Sequence, residues 1–146
     1  MGWSDFLVVP LRPRSVRCHD GGYMEENSIS GQIVDSAMKV HTALGCGLLE
    51  SVYETCLAYE LVKRGLAVRR QIAMPVRYDG VALDAGYRLD LLVEERVVVE
   101  VKAVERMLPL YAAQLLTYLK LGGYKVGLLL NFNTVHLQNG IRRVAN

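Results

Sequence analysis

Between Arg88 and Lys102, apolar and polar residues alternate with the two-residue period of β-strands. In the first run Leu89, Leu91 and Val93 alternate with Arg88, Asp90 and Leu92. In the second, Val97, Val99 and Val101 alternate with Val98, Glu100 and Lys102. A hairpin folded about Glu95 sets Leu89 opposite Val101, Leu91 opposite Val99 and Val93 opposite Val97, with Asp90 across from Glu100 on the other face. A slip of one residue would carry every apolar side chain to the wrong face, so the pattern selects this register.

Other stretches show the helical period. Ile33, Ala37, Val40 and Leu44 predict an amphipathic helix capped near Ser30 and ended by Gly45-Cys46-Gly47. Leu49, Val52, Tyr53, Cys56 and Leu57 predict a second, closing near Gly65 and carrying Glu50 and Glu54 one turn apart. Val68 to Tyr78 reads as a strand that Pro75 confines to an edge or a bulge, and Asp79-Gly80 as a tight turn. Pro109 opens a helix running to about Leu121 before Gly122-Gly123. Val126 to Phe132 is a continuous apolar run, as expected of a strand covered on both faces. Val135 to Val144 reads as a last hairpin about Asn139-Gly140. The predicted order is α-α-β-β-β-α-β plus a C-terminal hairpin, an α/β fold with a mixed central sheet flanked by helices.

A chain of 146 residues can bury one sizeable core, and one domain is expected over residues 24–146. Residues 1–23 hold two of the four prolines and no periodic pattern. They read as a disordered extension, with the functional polypeptide starting near Met24; an ordered strand over Phe6 to Val9 is the competing reading. Cys18, Cys46 and Cys56 have no Cys-x-x-Cys spacing, which argues against a zinc site or a disulfide framework and for a reducing cytoplasm. No apolar run reaches the ~20 residues of a membrane-spanning helix, so no membrane partner is expected. The net charge of +2 implies nothing by itself. Its distribution says more: acids gather around Glu50, Glu54 and Glu60 and from Asp79 to Glu100, whereas Lys63 to Arg77 and the chain beyond Lys102 are basic. That layout suits an enzyme acting on a polyanion.

Within the hairpin, Asp90 and Glu100 carry the chemistry. Carboxylates directly opposed across two strands lie roughly 5 Å apart and repel, and Lys102, on the face of Glu100, relieves only part of this. A divalent cation would turn the repulsion into a site. The plainer reading, solvated residues on an open sheet face, is opposed by the valines flanking Glu100. No P-loop, dinucleotide fingerprint, His-Glu-x-x-His or Gly-x-Ser-x-Gly motif is present.

Gly47-Leu48-Leu49-Glu50-Ser51-Val52-Tyr53, then Asp90, Glu100-Val101-Lys102 and Gln114-x-x-x-Tyr118, together resemble the GxxExxY family. This is a branch of the PD-(D/E)XK nuclease superfamily, similar to RecB-type nuclease domains. The resemblance covers roughly Ile29 to Val144. Leu89 stands where the superfamily pattern puts a proline, and Cys46 where the family's glycine loop would hold one. The resemblance implies a restriction-endonuclease-like core and a nuclease that hydrolyses phosphodiester bonds, of DNA rather than RNA. Asp90, Glu100, the Val101 carbonyl, Glu50 and, as a further ligand, His41 would hold Mg²⁺ or Mn²⁺. Lys102 would orient or deprotonate the attacking water, and Gln114 and Tyr118, one turn apart, would assist it. Tyr53 would pack with its hydroxyl near the site. So small a core leaves room for a homodimer or a partner protein. Two other readings stay open: a nucleic-acid-binding or assembly module that keeps the fold without cleaving, and a structural protein whose pocket binds metal for stability.

Overall fold

A computed structural model describes residues 24–146; the expectations for residues 1–23 lie outside the described residues. Helix α1 (Glu26–Leu44) starts a turn before the predicted cap. Glu25 is the N-cap residue, and Ser30 lies buried inside the helix, because the apolar stripe begins at Ile29 rather than Ile33. Helix α2 (Glu50–Lys63) is turned relative to its predicted face. Its buried stripe is Tyr53, Glu54, Leu57, Ala58 and Leu61, while Leu49 and Val52 are exposed. The stripe continues to Leu61, and the longer run of contacts decides the orientation.

The expected strand over Val68 to Tyr78 is two strands. β1 (Val68–Ala73) is an edge of the main sheet, whereas β2 (Val76–Tyr78) pairs only with β3 (Val81–Leu83). Pro75 parts them, lacking the N–H that a continuing ladder needs. Asp79 and Gly80, both at positive φ, form the two-residue turn of the β2–β3 hairpin.

β4 (Arg88–Val93), β5 (Val97–Lys102), β6 (Val126–Asn131) and β7 (Ile141–Ala145) complete a five-stranded sheet of order β1-β4-β5-β6-β7. Helix α3 (Pro109–Gly122) crosses between β5 and β6, the one parallel pair; the other pairs are antiparallel. The predicted mixed α/β architecture, a sheet flanked by helices as in restriction-endonuclease-like cores, is what the chain forms. Helices α1 and α2 cover one face over Leu91, Val93, Val97, Val99 and Val101, and α3 covers the other over Leu89, Leu92, Val98 and Leu129. β6 is buried from end to end. Helix α3 lies close enough on β6 that a Cβ at Gly127 would meet the Leu115 side chain at 2.9 Å.

The predicted C-terminal hairpin differs. Residues Leu137–Gly140 form a 3₁₀ turn, and β7 pairs with β6 instead of with residues 135–138. Two contacts decide this: Leu137 is buried in the core, and Gly140 lies so close to the Asn131 carbonyl that no side chain would fit. The Asn-Gly pair therefore serves close packing rather than a hairpin turn.

Candidate active site

The β4–β5 hairpin keeps the predicted register over three pairs, Leu91 with Val99, Leu92 with Val98 and Val93 with Val97, while the expected Leu89–Val101 and Asp90–Glu100 strand pairs do not form. Burying one such side chain is worth ~1.5–3 kcal/mol, and a like-charge cross-strand pair costs less than ~1 kcal/mol when exposed. The apolar residues thus impose the register and the carboxylates must tolerate it. They do so by opening the ladder. Beyond Leu91 and Val99 no strand pairing continues, and side chains take up the backbone donors instead. The Val101 N–H donates to Asp90 Oδ2 at 2.9 Å, and the Asp90 N–H donates to Glu100 Oε1 at 3.3 Å.

One part of the alternation fails there. Leu89 turns to the α3 face with Leu92 and Val98, not to the face of Leu91 and Val101. The cause lies in the neighbouring strand, where Gln71 adopts a left-handed backbone at φ 49°. Pairing between β1 and β4 lapses at Gln71 and Asp90, then resumes in the same register at Ile72 and Leu89. Both strands exchange faces across this break: Val68 packs under α1 and α2, Ile72 under α3. The reversal sets Asp90 at the junction of the two faces, in reach of groups on both.

From the α2 side, Glu54 is only 6% exposed. Gln71 Nε2 donates to both its carboxylate oxygens at 3.0 Å and reaches Asp90 Oδ1 at 3.5 Å, so one amide bridges the two acids. Arg70 Nε adds a charged bond to Glu54 at 3.4 Å. Glu50, one turn earlier, is exposed, and its charge still acts on Asp90. From the α3 side, Lys102 Nζ lies 4.9 Å from the centre of the Tyr111 ring, a cation–π contact. Tyr118 is 8% exposed and meets Tyr87 at 5.7 Å between ring centres. Burial first, then Glu100, Tyr87 and Asp90, push its phenol pKa up. Gln114 is exposed on the same helix.

Burial dominates the carboxylate electrostatics. Asp90 is pushed up to about 6, by desolvation and then by Glu54 and Glu50, against the opposing Val101 N–H and Lys102. Glu100, 7% exposed, is pushed up to about 8, by desolvation and then by the Asp90 charge. Lys102 favours both charged forms without cancelling the repulsion.

The structure therefore brings together Asp90, Glu100, Lys102 and Tyr118, with the Val101 main chain bound to Asp90 and Glu50 near it. His41 has another partner: its Nε2 lies 2.8 Å from the Thr134 carbonyl. The Tyr53 hydroxyl donates to the Gly45 carbonyl at 2.6 Å and accepts from the Leu48 N–H at 3.1 Å, while its ring stacks on Phe132 at 4.6 Å. It clamps the loop that starts α2. Among the described residues, no three His, Cys, Asp or Glu side chains gather as a metal-binding group. Magnesium, however, is commonly held by one or two carboxylates and keeps several waters. A buried Glu100 and a half-buried Asp90, left in mutual repulsion, fit such a cation.

Sequence reading missed Glu54, Gln71, Tyr111 and Asn131 as parts of this assembly. Asn131, 2% exposed, accepts from the Val104 N–H at 3.0 Å and donates to the Val104 carbonyl at 2.9 Å, fixing the chain just after Lys102. A polar residue ending an otherwise apolar strand was its signal. Glu54, Tyr111 and Gln71 had none beyond helical spacing and a place in β1.

The chain matches the family model described as PD-(D/E)XK nuclease superfamily over residues 27–144. No curated protein and no solved structure matches the chain.

Proposed function

Since the chain belongs to the PD-(D/E)XK nuclease superfamily, we propose that it is a divalent-cation-dependent nuclease, of the GxxExxY branch, that hydrolyses phosphodiester bonds of DNA. The observation that carries this reading is the Asp90–Glu100 pair. The buried Glu100 carboxylate and the half-buried Asp90 carboxylate, each bonded to the other's strand, stand at the open end of the hairpin with Lys102 beside them. Branch membership rests on Gly47, Glu50 and Tyr53. Gly47 takes a φ of 96°, and Tyr53 closes the loop that presents Glu50.

Asp90, Glu100 and the carbonyl of Val101 would hold Mg²⁺ or Mn²⁺, with Glu50 acting directly or through water. When bound, the cation would supply Lewis-acid polarisation of a phosphoryl oxygen and a lowered pKa for bound water. The chain's own residues do the rest. The Lys102 ammonium orients the attacking water and offsets charge that builds on the phosphoryl oxygens. Tyr111 restrains that ammonium from the α3 side. Tyr118, on which the Glu100 charge acts, and Gln114 on the same helix reach the phosphate or its water. Glu54 and Gln71 hold Asp90 in place from the α2 side. We leave His41 outside the ligand set because Nε2 is engaged with Thr134.

The test is nicking of supercoiled plasmid with Mg²⁺ or Mn²⁺. Wild type nicks, while Lys102→Ala, Asp90→Ala and EDTA each abolish nicking. Retention of plasmid without nicking would replace this reading with a binding module.

A further inference from the structure

The aromatic wall beside the carboxylates has a use that the hydrolytic reading leaves unassigned. Tyr87 directly precedes β4, follows Gly86 at φ 76°, and is 43% exposed. Its ring rests on Tyr118 at 5.7 Å with a 57° tilt. Tyr118 is a buried residue of α3, packed with Leu89, Leu92 and Val98 on the sheet face that α3 covers. One ring is thus fixed in the core next to the site, and the next is held against it with a free surface toward solvent. A tyrosine held by a buried ring has little rotamer freedom left to lose on binding, which favours it as a docking face. On the same helix as Tyr118, Tyr111 holds the Lys102 ammonium over its ring at 4.9 Å.

We propose that Tyr87 is a stacking platform for an unpaired nucleobase next to the scissile phosphate, so that the site takes nucleic acid with unpaired nucleotides at the cleavage point. This rests on the nuclease reading above. Every base has a π-face that an aromatic ring accepts without regard to sequence, but in a duplex those faces are already stacked on neighbouring pairs. A single strand, a gap or a frayed end exposes them. The exposed ring of Tyr87 therefore discriminates by strandedness, while Lys102 meets the phosphate whatever the strandedness. Stacking on an aromatic ring contributes roughly 5- to 150-fold in affinity per base.

Binding to the intact chain in EDTA, read by fluorescence anisotropy, tests this without cleavage. The probes are an oligothymidylate, an abasic oligonucleotide of equal length and charge, and a duplex. Wild type and Tyr87→Phe should prefer oligothymidylate to the abasic strand by roughly fivefold or more. Tyr87→Ala should lose that preference, Tyr87→Trp should keep or raise it, and duplex affinity should not change among the variants. Equal wild-type affinity for thymidylate and abasic strands overturns the proposal, as does a preference that survives in Tyr87→Ala. If either occurs while plasmid nicking persists, the stacking inference fails alone. If none of the probes binds and no plasmid is nicked, the nuclease reading falls with it.

Discussion

Replacing Glu100 with glutamine should make the cation-free protein more stable above neutral pH, although it removes a proposed ligand. In the fold Glu100 is raised from 4.5 to about 8, and Asp90 from 3.8 to about 6, by burial first and by acidic neighbours next. For an acid whose pKa is raised on folding, the folded state binds protons more tightly than the unfolded chain. Stability is therefore greatest below the unfolded value near 4.5 and falls as pH rises toward about 8. Each tenfold difference in proton affinity between the folded and unfolded states corresponds to ~1.4 kcal/mol. The repulsion between Asp90 and Glu100 belongs to the pair and is counted once, so the swing is about 2–5 kcal/mol. Glutamine keeps an oxygen for the Asp90 N–H and carries no charge. Urea denaturation followed by circular dichroism in EDTA, at pH 5, 6.5 and 8, should show wild type weakening along the series. Glu100→Gln should be flatter and more stable by about 2 kcal/mol or more at pH 8. His41 and His136 are common to both proteins, so the difference isolates the acid pair. A wild-type stability that is flat or rises from pH 5 to 8 would show that burial does not hold protons on these carboxyls, and a parallel slope in Glu100→Gln would show that Glu100 is not their source.

Two further expectations concern the scaffold. Tyr53→Phe removes the hydroxyl that binds the Gly45 carbonyl and the Leu48 N–H. It should cost about 1–3 kcal/mol in urea denaturation and reduce nicking by loosening the start of α2, whereas unchanged stability would show that the clamp is idle. Gly140→Ala forces a methyl group against the Asn131 carbonyl and should destabilise the fold by about 2 kcal/mol or more. A neutral result would mean that β7 joins β6 without that close approach.

The hairpin register was legible near the turn because Leu91, Val93, Val97 and Val99 agree on one solution, and burial energy enforces it. The α3 crossover was legible for a similar reason: Pro109 and Gly123 mark its ends, and the short continuous apolar run after it is typical of a strand covered on both faces. What escaped the sequence was set by tertiary contact. The turn of Leu89 to the other face depends on the left-handed Gln71 in a different strand, which no period in β4 records. Glu54 was visible only as a companion to Glu50. Its burial follows from the orientation of α2, and its partners Arg70 and Gln71 come from β1. Asn139-Gly140 carried a true hairpin signal that close packing on Asn131 overrode.

If Asp90 and Glu100 form one cation site, calorimetric titration of Mn²⁺ into the protein at pH 8 should reveal it without any substrate. One binding event is expected in wild type, retained in Lys102→Ala and lost in Asp90→Asn and in Glu100→Gln. Binding that persists unchanged in both carboxylate variants, or no binding to wild type at millimolar Mn²⁺ (~4 kcal/mol of affinity), would mean that the two carboxylates are not a cation site.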